Sequence, residues 1–143
     1  MYFFIPFVIQ AIVIFIDEFY FHIKRGLPLW ERIGHPIDTL SVSACLLFAL
    51  YFPFSQGKLI IYIILATLSC ILVTKDEFVH KEHCPAKEQW LHALLFINHP
   101  LVMISTAFLW AGGHTLFLTI QFCVSIFFAL YQVIYWNFIW KKS

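Results

Sequence analysis

All eight acidic residues and five of the seven histidines fall in two short stretches of an otherwise apolar chain. The first holds Asp17, Glu18, His22, Glu31, His35 and Asp38; the second holds Asp76, Glu77, His80, Glu82, His83, Glu88 and His92. Residues three or four apart share one face of a helix. Glu18/His22, Glu77/His80, Asp76/His80/His83 and Glu88/His92 all have that spacing. Glu31/His35 has it as well if its helix begins ahead of Pro36, which a residue preceding proline resists. Carboxylates supply anionic oxygens that offset the charge of a bound cation, and imidazoles bind it without adding more charge. That pairing is the chemistry of a transition-metal site.

The ligand set expected from this spacing is Glu18, His22, Glu31, His35, Glu77, His80, His83, Glu88 and His92. Asp17, Asp38, Asp76 and His99 are expected beside it, as groups that orient the ligands. Two ions are expected, iron by preference for so many carboxylates, with manganese or zinc as the other choices. The arrangement resembles the di-iron carboxylate bundles in ligand chemistry, though not in sequence. There, two helices bring a Glu each and two bring a Glu with a His three residues on. Glu82, Lys81, Lys87 and Arg25 read as solvated charges. Cys45, Cys70 and Cys123 read as small apolar residues within spans, and Cys84 lacks the C-x-x-C partner of a thiolate site.

The elements that must carry these residues are membrane helices. The chain has 143 residues, of which 62% are hydrophobic and 12% charged. About 25% charged is usual for a soluble domain, and a spanning helix takes roughly 20 apolar residues. The expected fold is all-α: one polytopic membrane helical bundle of five transmembrane helices. The spans fall at about 2–22, 36–54, 59–79, 91–110 and 115–139. The last two come from a run, Gln89 to Trp140, that has no Asp, Glu, Lys or Arg and breaks at Gly112-Gly113. No basic segment precedes the first apolar run and no small-residue cleavage site follows it, so that run reads as a retained helix. Tyr135, Trp136 and Trp140 read as interfacial anchors. Eight of the nine Lys and Arg fall on one side of this topology, with Lys58 alone on the other. The positive-inside rule then puts the N-terminus outside, the C-terminus in the cytoplasm and both acidic stretches at the cytoplasmic face.

Two repeated helical hairpins followed by a fifth helix are a further expectation. Asp17-Glu18-Phe19 recurs as Asp76-Glu77-Phe78, and Ile33-Gly34-His35-Pro36 as Ile97-Asn98-His99-Pro100. A second register aligns Pro28, Glu31 and His35 with Pro85, Glu88 and His92. The registers differ by several residues, which leaves His35 with two counterparts.

The function these residues imply is a metal-dependent membrane enzyme acting on a lipid or other apolar substrate at the cytoplasmic face. With iron it performs oxygenase or desaturase chemistry and needs an electron donor. The alternatives are a zinc-dependent membrane hydrolase, a transition-metal carrier or sensor, and haem held by His92 and His99. A carrier needs a polar path through the membrane, and Gln10, Ser43, Thr67, Ser69, Gln121 and Ser125 are scattered along the spans. No basic patch interleaved with aromatics suggests a nucleic-acid partner. H-E-x-x-H, the Gly-rich phosphate loop, G-x-S-x-G and the H-x-x-H-H boxes of membrane desaturases are all missing.

Overall fold

The computed structural model describes residues 2–77 and 84–140, with Asp76 described in its main chain only. All regular structure among the described residues is helical. Five helices are long and apolar enough to cross a membrane: α1 (Tyr2–Arg25), α2 (Leu29–Tyr51), α3 (Gln56–Val73), α4 (Ala86–Ala111) and α5 (Thr115–Ile139). Apolar side chains cover their outer faces. Tyr51, Leu116, Phe127 and Phe138 are 74 to 77% exposed, a surface suited to hydrocarbon rather than water.

The chain reverses where the sequence cannot continue a helix. α1 stops at Gly26, whose φ of 74° suits glycine, and whose N–H reaches His22 O at 2.7 Å. Pro28 caps α2 and Pro85 caps α4 in the extended conformation. Gly113, with a φ of 71°, turns the chain between α4 and α5.

α2 begins seven residues ahead of Pro36, and α4 five residues ahead of Leu91. Pro36 and Pro100 therefore lie inside helices. Each removes one intrahelical N–H, a loss that neighbouring helices and side-chain hydroxyls make tolerable in apolar bundles. The consequence for α2 is that Glu31 and His35 do share a helix.

α2 packs along α5, and α1 along α4; α3 bridges α2 and α4. Small polar residues join the neighbours: Thr39 Oγ1 donates to Gln132 Oε1 (2.9 Å), Ser43 meets Ser125 (2.9 Å), and Ser41 meets Ser69 (2.7 Å). An apolar core of Phe7, Leu46, Tyr62, Met103, Trp110 and their neighbours fills one half of the bundle. Tyr62 donates to Met103 O and Trp110 to Phe52 O, each at 2.8 Å. The other half is different. Where α1 and α5 end and α2 and α4 begin, the buried side chains include Asp17, Glu18, His22, Glu31, Glu88, His92 and Trp136.

Candidate metal centre

The centre starts from a local departure in α1. Asp17–His22 forms a π-helix, with main-chain bonds to the fifth residue on instead of the fourth. On an α-helix Asp17 and His22 would point about 140° apart, at about 100° per residue. The wider turn brings them onto one face. Asp17 Oδ2 lies 3.2 Å from His22 Nε2, while Glu18 Oε2 lies 3.1 Å from His22 Nδ1. Both nitrogens of one buried imidazole thus face carboxylates from its own helix.

α4 completes the group from across the bundle. His92 Nε2 meets Asp17 Oδ2 at 3.0 Å, and Glu88 Oε1 lies 3.7 Å from His22 Nε2. Asp17, His22, Glu88 and His92 are all buried and offer one donor atom each within 4.8 Å of one another. A cation bound by such donors sits about 2.0–2.2 Å from each, so small side-chain movements close the set around an ion. A second set of three shares His22: Glu18, His22 and the half-buried His35 of α2, whose ring centroid is 4.9 Å from that of His22.

Arg25 and Trp136 frame the group. Arg25 Nη2 donates to Glu31 Oε2 at 2.7 Å and to Glu88 Oε1 at 2.8 Å. Glu31 and Glu88 are each the third residue of their helices, where the helix dipole also favours a carboxylate. Trp136 Nε1 donates to Glu18 Oε1 at 2.5 Å, from a second π-helical segment, Tyr135–Ile139. Neither residue carried a signal for this place: Arg25 reads as solvated and Trp136 as an interfacial anchor. Asp17, expected at the periphery, sits within the set of four.

Charge decides what this arrangement can do. Four carboxylates (Asp17, Glu18, Glu31, Glu88) are at most 6% exposed, against the single guanidinium of Arg25. Among the described residues this is a strong concentration of negative charge, and burying charge costs several kcal/mol per ion unless it is compensated. Divalent cations among the donors remove the excess, and so do protons on the imidazoles.

The remaining candidates lie elsewhere. Asp38 forms an ion pair with Lys75, 2.7 Å from Nζ to either oxygen. His99 Nε2 lies 3.0 Å from Ser69 Oγ, deeper in the bundle. Glu77 is exposed. His80, His83 and the side chain of Asp76 lie outside the described residues. Cys84 is half-buried just ahead of α4. Burial is the main cause that pushes its thiol well up, with Arg25 opposing and Glu88 adding.

A cavity of about 360 Å³ adjoins the group, and Asp17, Glu18, His22, His35 and His92 form one end of it. From there it runs between α1, α2, α4 and α5 past Phe15, Val42, Leu46, Phe96, Val102 and Phe128. Among its polar lining residues, Gln132 bonds to Thr39, Gln10 to Asn98 (2.8 Å) and Ser125 to Ser43. Asp38, His99 and Gln121 line it too, but most of the bore is apolar.

No family model matches this chain, and neither does any curated protein or solved structure.

Proposed function

We propose that the chain is an integral membrane enzyme whose buried carboxylate–imidazole group holds two transition-metal ions and acts on an apolar substrate. The observation that carries this is the meeting of four buried carboxylates and three imidazoles from three helices at the end of an apolar cavity. Structural ion pairs need no such cavity, and a carrier needs a polar bore.

The excess of carboxylate over imidazole favours iron, with manganese or zinc as the alternatives. Iron in such a centre supplies O2 chemistry. In a hydroxylation one oxygen atom enters a C–H bond and the other leaves as water, taking two electrons and two protons from a separate donor. The chain's own residues bind the ions through Asp17, Glu18, His22, Glu88 and His92, with His35 beside them. Arg25 holds Glu31 and Glu88 in place. The cavity walls exclude water from the reacting carbon.

We read the centre as cytoplasmic. Among the described residues, Lys24, Arg25, Arg32, Lys75 and Lys87 flank its end of the bundle, and only Lys58 flanks the other. We also read α1–α2 and α3–α4 as duplicated hairpins in parallel orientation. In support, Pro28, Glu31 and His35 occupy the same places in α2 as Pro85, Glu88 and His92 in α4. Both glutamates bind the same Arg25 nitrogen. Their first helices differ, since Asp17 and Glu18 are buried while Glu77 is exposed.

The test is elemental analysis of protein purified without added metal, together with its absorption spectrum. One or two transition-metal ions per chain are expected, with lower thermal stability after chelation. Metal-free protein that folds and gains no stability from added Fe(II), Mn(II) or Zn(II) refutes the reading, and the cluster is then a protonated ion-pair network.

A further inference from the structure

We infer that the cavity takes one unbranched hydrocarbon chain, which passes sideways from the bilayer through a gap between α1 and α5. The fate of that chain rests on the enzyme reading above; its binding does not.

Shape argues for the chain. On α1 the lining runs from Phe7 to His22, fifteen residues or about 22 Å at 1.5 Å per residue. On α5 it runs from Gln121 to Gln132, eleven residues or about 16 Å. A volume of about 360 Å³ over such a length leaves a mean section of about 16–22 Å². Carbons touch at about 3.5–4.0 Å, so a polymethylene chain is about 4–5 Å wide and fills such a section alone. Phe7, Ile14, Phe15, Leu46, Phe96 and Phe128 offer such a chain apolar contact along the bore.

The way in follows from how the helices close. α1 and α5 are not among the closely packed pairs of the bundle. Ring contacts and a hydrogen bond join them at two levels. At one, Phe4 and Phe7 meet Phe117, with centroids 4.6 and 5.1 Å apart. At the other, Phe19 meets Tyr131 (5.8 Å) and Glu18 meets Trp136. Between these contacts, Ala11 and Phe15 of α1 and Val124 and Phe127 of α5 are exposed on the outside and yet line the cavity. The opening thus faces hydrocarbon, and it is bounded by aromatic contacts above and below.

Leu46 and Val102 provide the test. They line the cavity, but only 2% and 4% of their surface is exposed, so bulk lipid does not reach them from outside. The protein is reconstituted in phosphatidylcholine vesicles carrying either a free long-chain alcohol with a terminal diazirine or a phosphatidylcholine with the same group on one acyl chain. After photolysis the labelled residues are mapped by mass spectrometry. Label on Leu46 and Val102 is expected from at least one probe, and the probe that delivers it identifies the source of the chain. Ala11→Trp and Val124→Trp alter exposed positions and narrow the gap. Each should cut that label about tenfold, the equivalent of about 1.4 kcal/mol of binding. Label on Ile63 and Ile104, which line a separate outer groove between α3 and α4, should stay unchanged. Label confined to Ile63 and Ile104, or label on Leu46 that neither tryptophan reduces, overturns the inference. A protein that takes the chain but no metal keeps this inference and removes the enzyme reading; one that takes metal but no chain does the reverse.

Discussion

Trp136 Nε1 donates to Glu18 Oε1 at 2.5 Å and so ties the π-helical turn of α1 to the π-helical turn of α5. Both residues are almost fully buried, at 1% and 2% exposure. The bond holds one carboxylate oxygen while the other meets His22. Trp136→Phe keeps the ring but leaves that oxygen without its donor, a loss of about 1–3 kcal/mol. Thermal unfolding in detergent should show the drop. Trp90→Phe, at a residue 65% exposed, should leave the transition where it is.

Glu88 and Glu77 separate buried acid from exposed acid. Glu88→Gln and His92→Asn should each reduce bound metal sharply. The double variant should be little worse than either, because residues of one site do not act additively. Glu77→Gln should keep its metal, since Glu77 is exposed and outside the groups of close donors among the described residues. Metal per chain is the measurement, and equal losses in Glu77→Gln and Glu88→Gln would contradict this assignment.

Arg25 is the one guanidinium between Glu31 and Glu88. Removing one partner of a buried pair costs about 3–5 kcal/mol, because the other charges stay buried. Arg25→Met should therefore be severely destabilising. Arg25→Met combined with Glu31→Gln should recover part of the loss in a double-mutant cycle. Purely additive losses would mean that the contact carries no energy.

The two positive-φ glycines differ in surroundings. A Cβ on Gly26 would lie 2.6 Å from the Trp140 ring, whereas one on Gly113 meets nothing within 4 Å. Gly113→Ala should cost the backbone strain alone, about 1–2 kcal/mol. Gly26→Ala should cost that and the displacement of Trp140, which also lies under Arg32. Comparison of the two melting temperatures checks the order.

Topology has its own test. On the proposed cytoplasmic placement of the centre, a reporter active only outside the cytoplasm, fused after Ser143, should be silent. Activity there would move the centre to the opposite face.

Composition and periodicity by themselves determined the all-helical architecture, the five long apolar segments and the polar residues worth examining. Those features are local: a run of Ile, Leu and Phe of sufficient length forms a helix whatever it later packs against, and acids are conspicuous in a chain with so few. The pairs Glu18/His22 and Glu88/His92 were legible for the same reason, since helical spacing is a property of one segment; Glu31/His35 was not, because only the structure carries the helix ahead of Pro36. What only the tertiary structure decided is which of these segments meet. Asp17 joins His22 through a π-turn, a local winding that α-helical spacing does not anticipate. Arg25 reaches Glu88, sixty-three residues away, and Trp136 reaches Glu18 across a hundred and eighteen. Asp38 is drawn to Lys75, and His99 to Ser69, because α3 packs against α2 and α4 there. Spacing along a helix says which side chains share a face; only the packing of helices says which faces are turned toward one another.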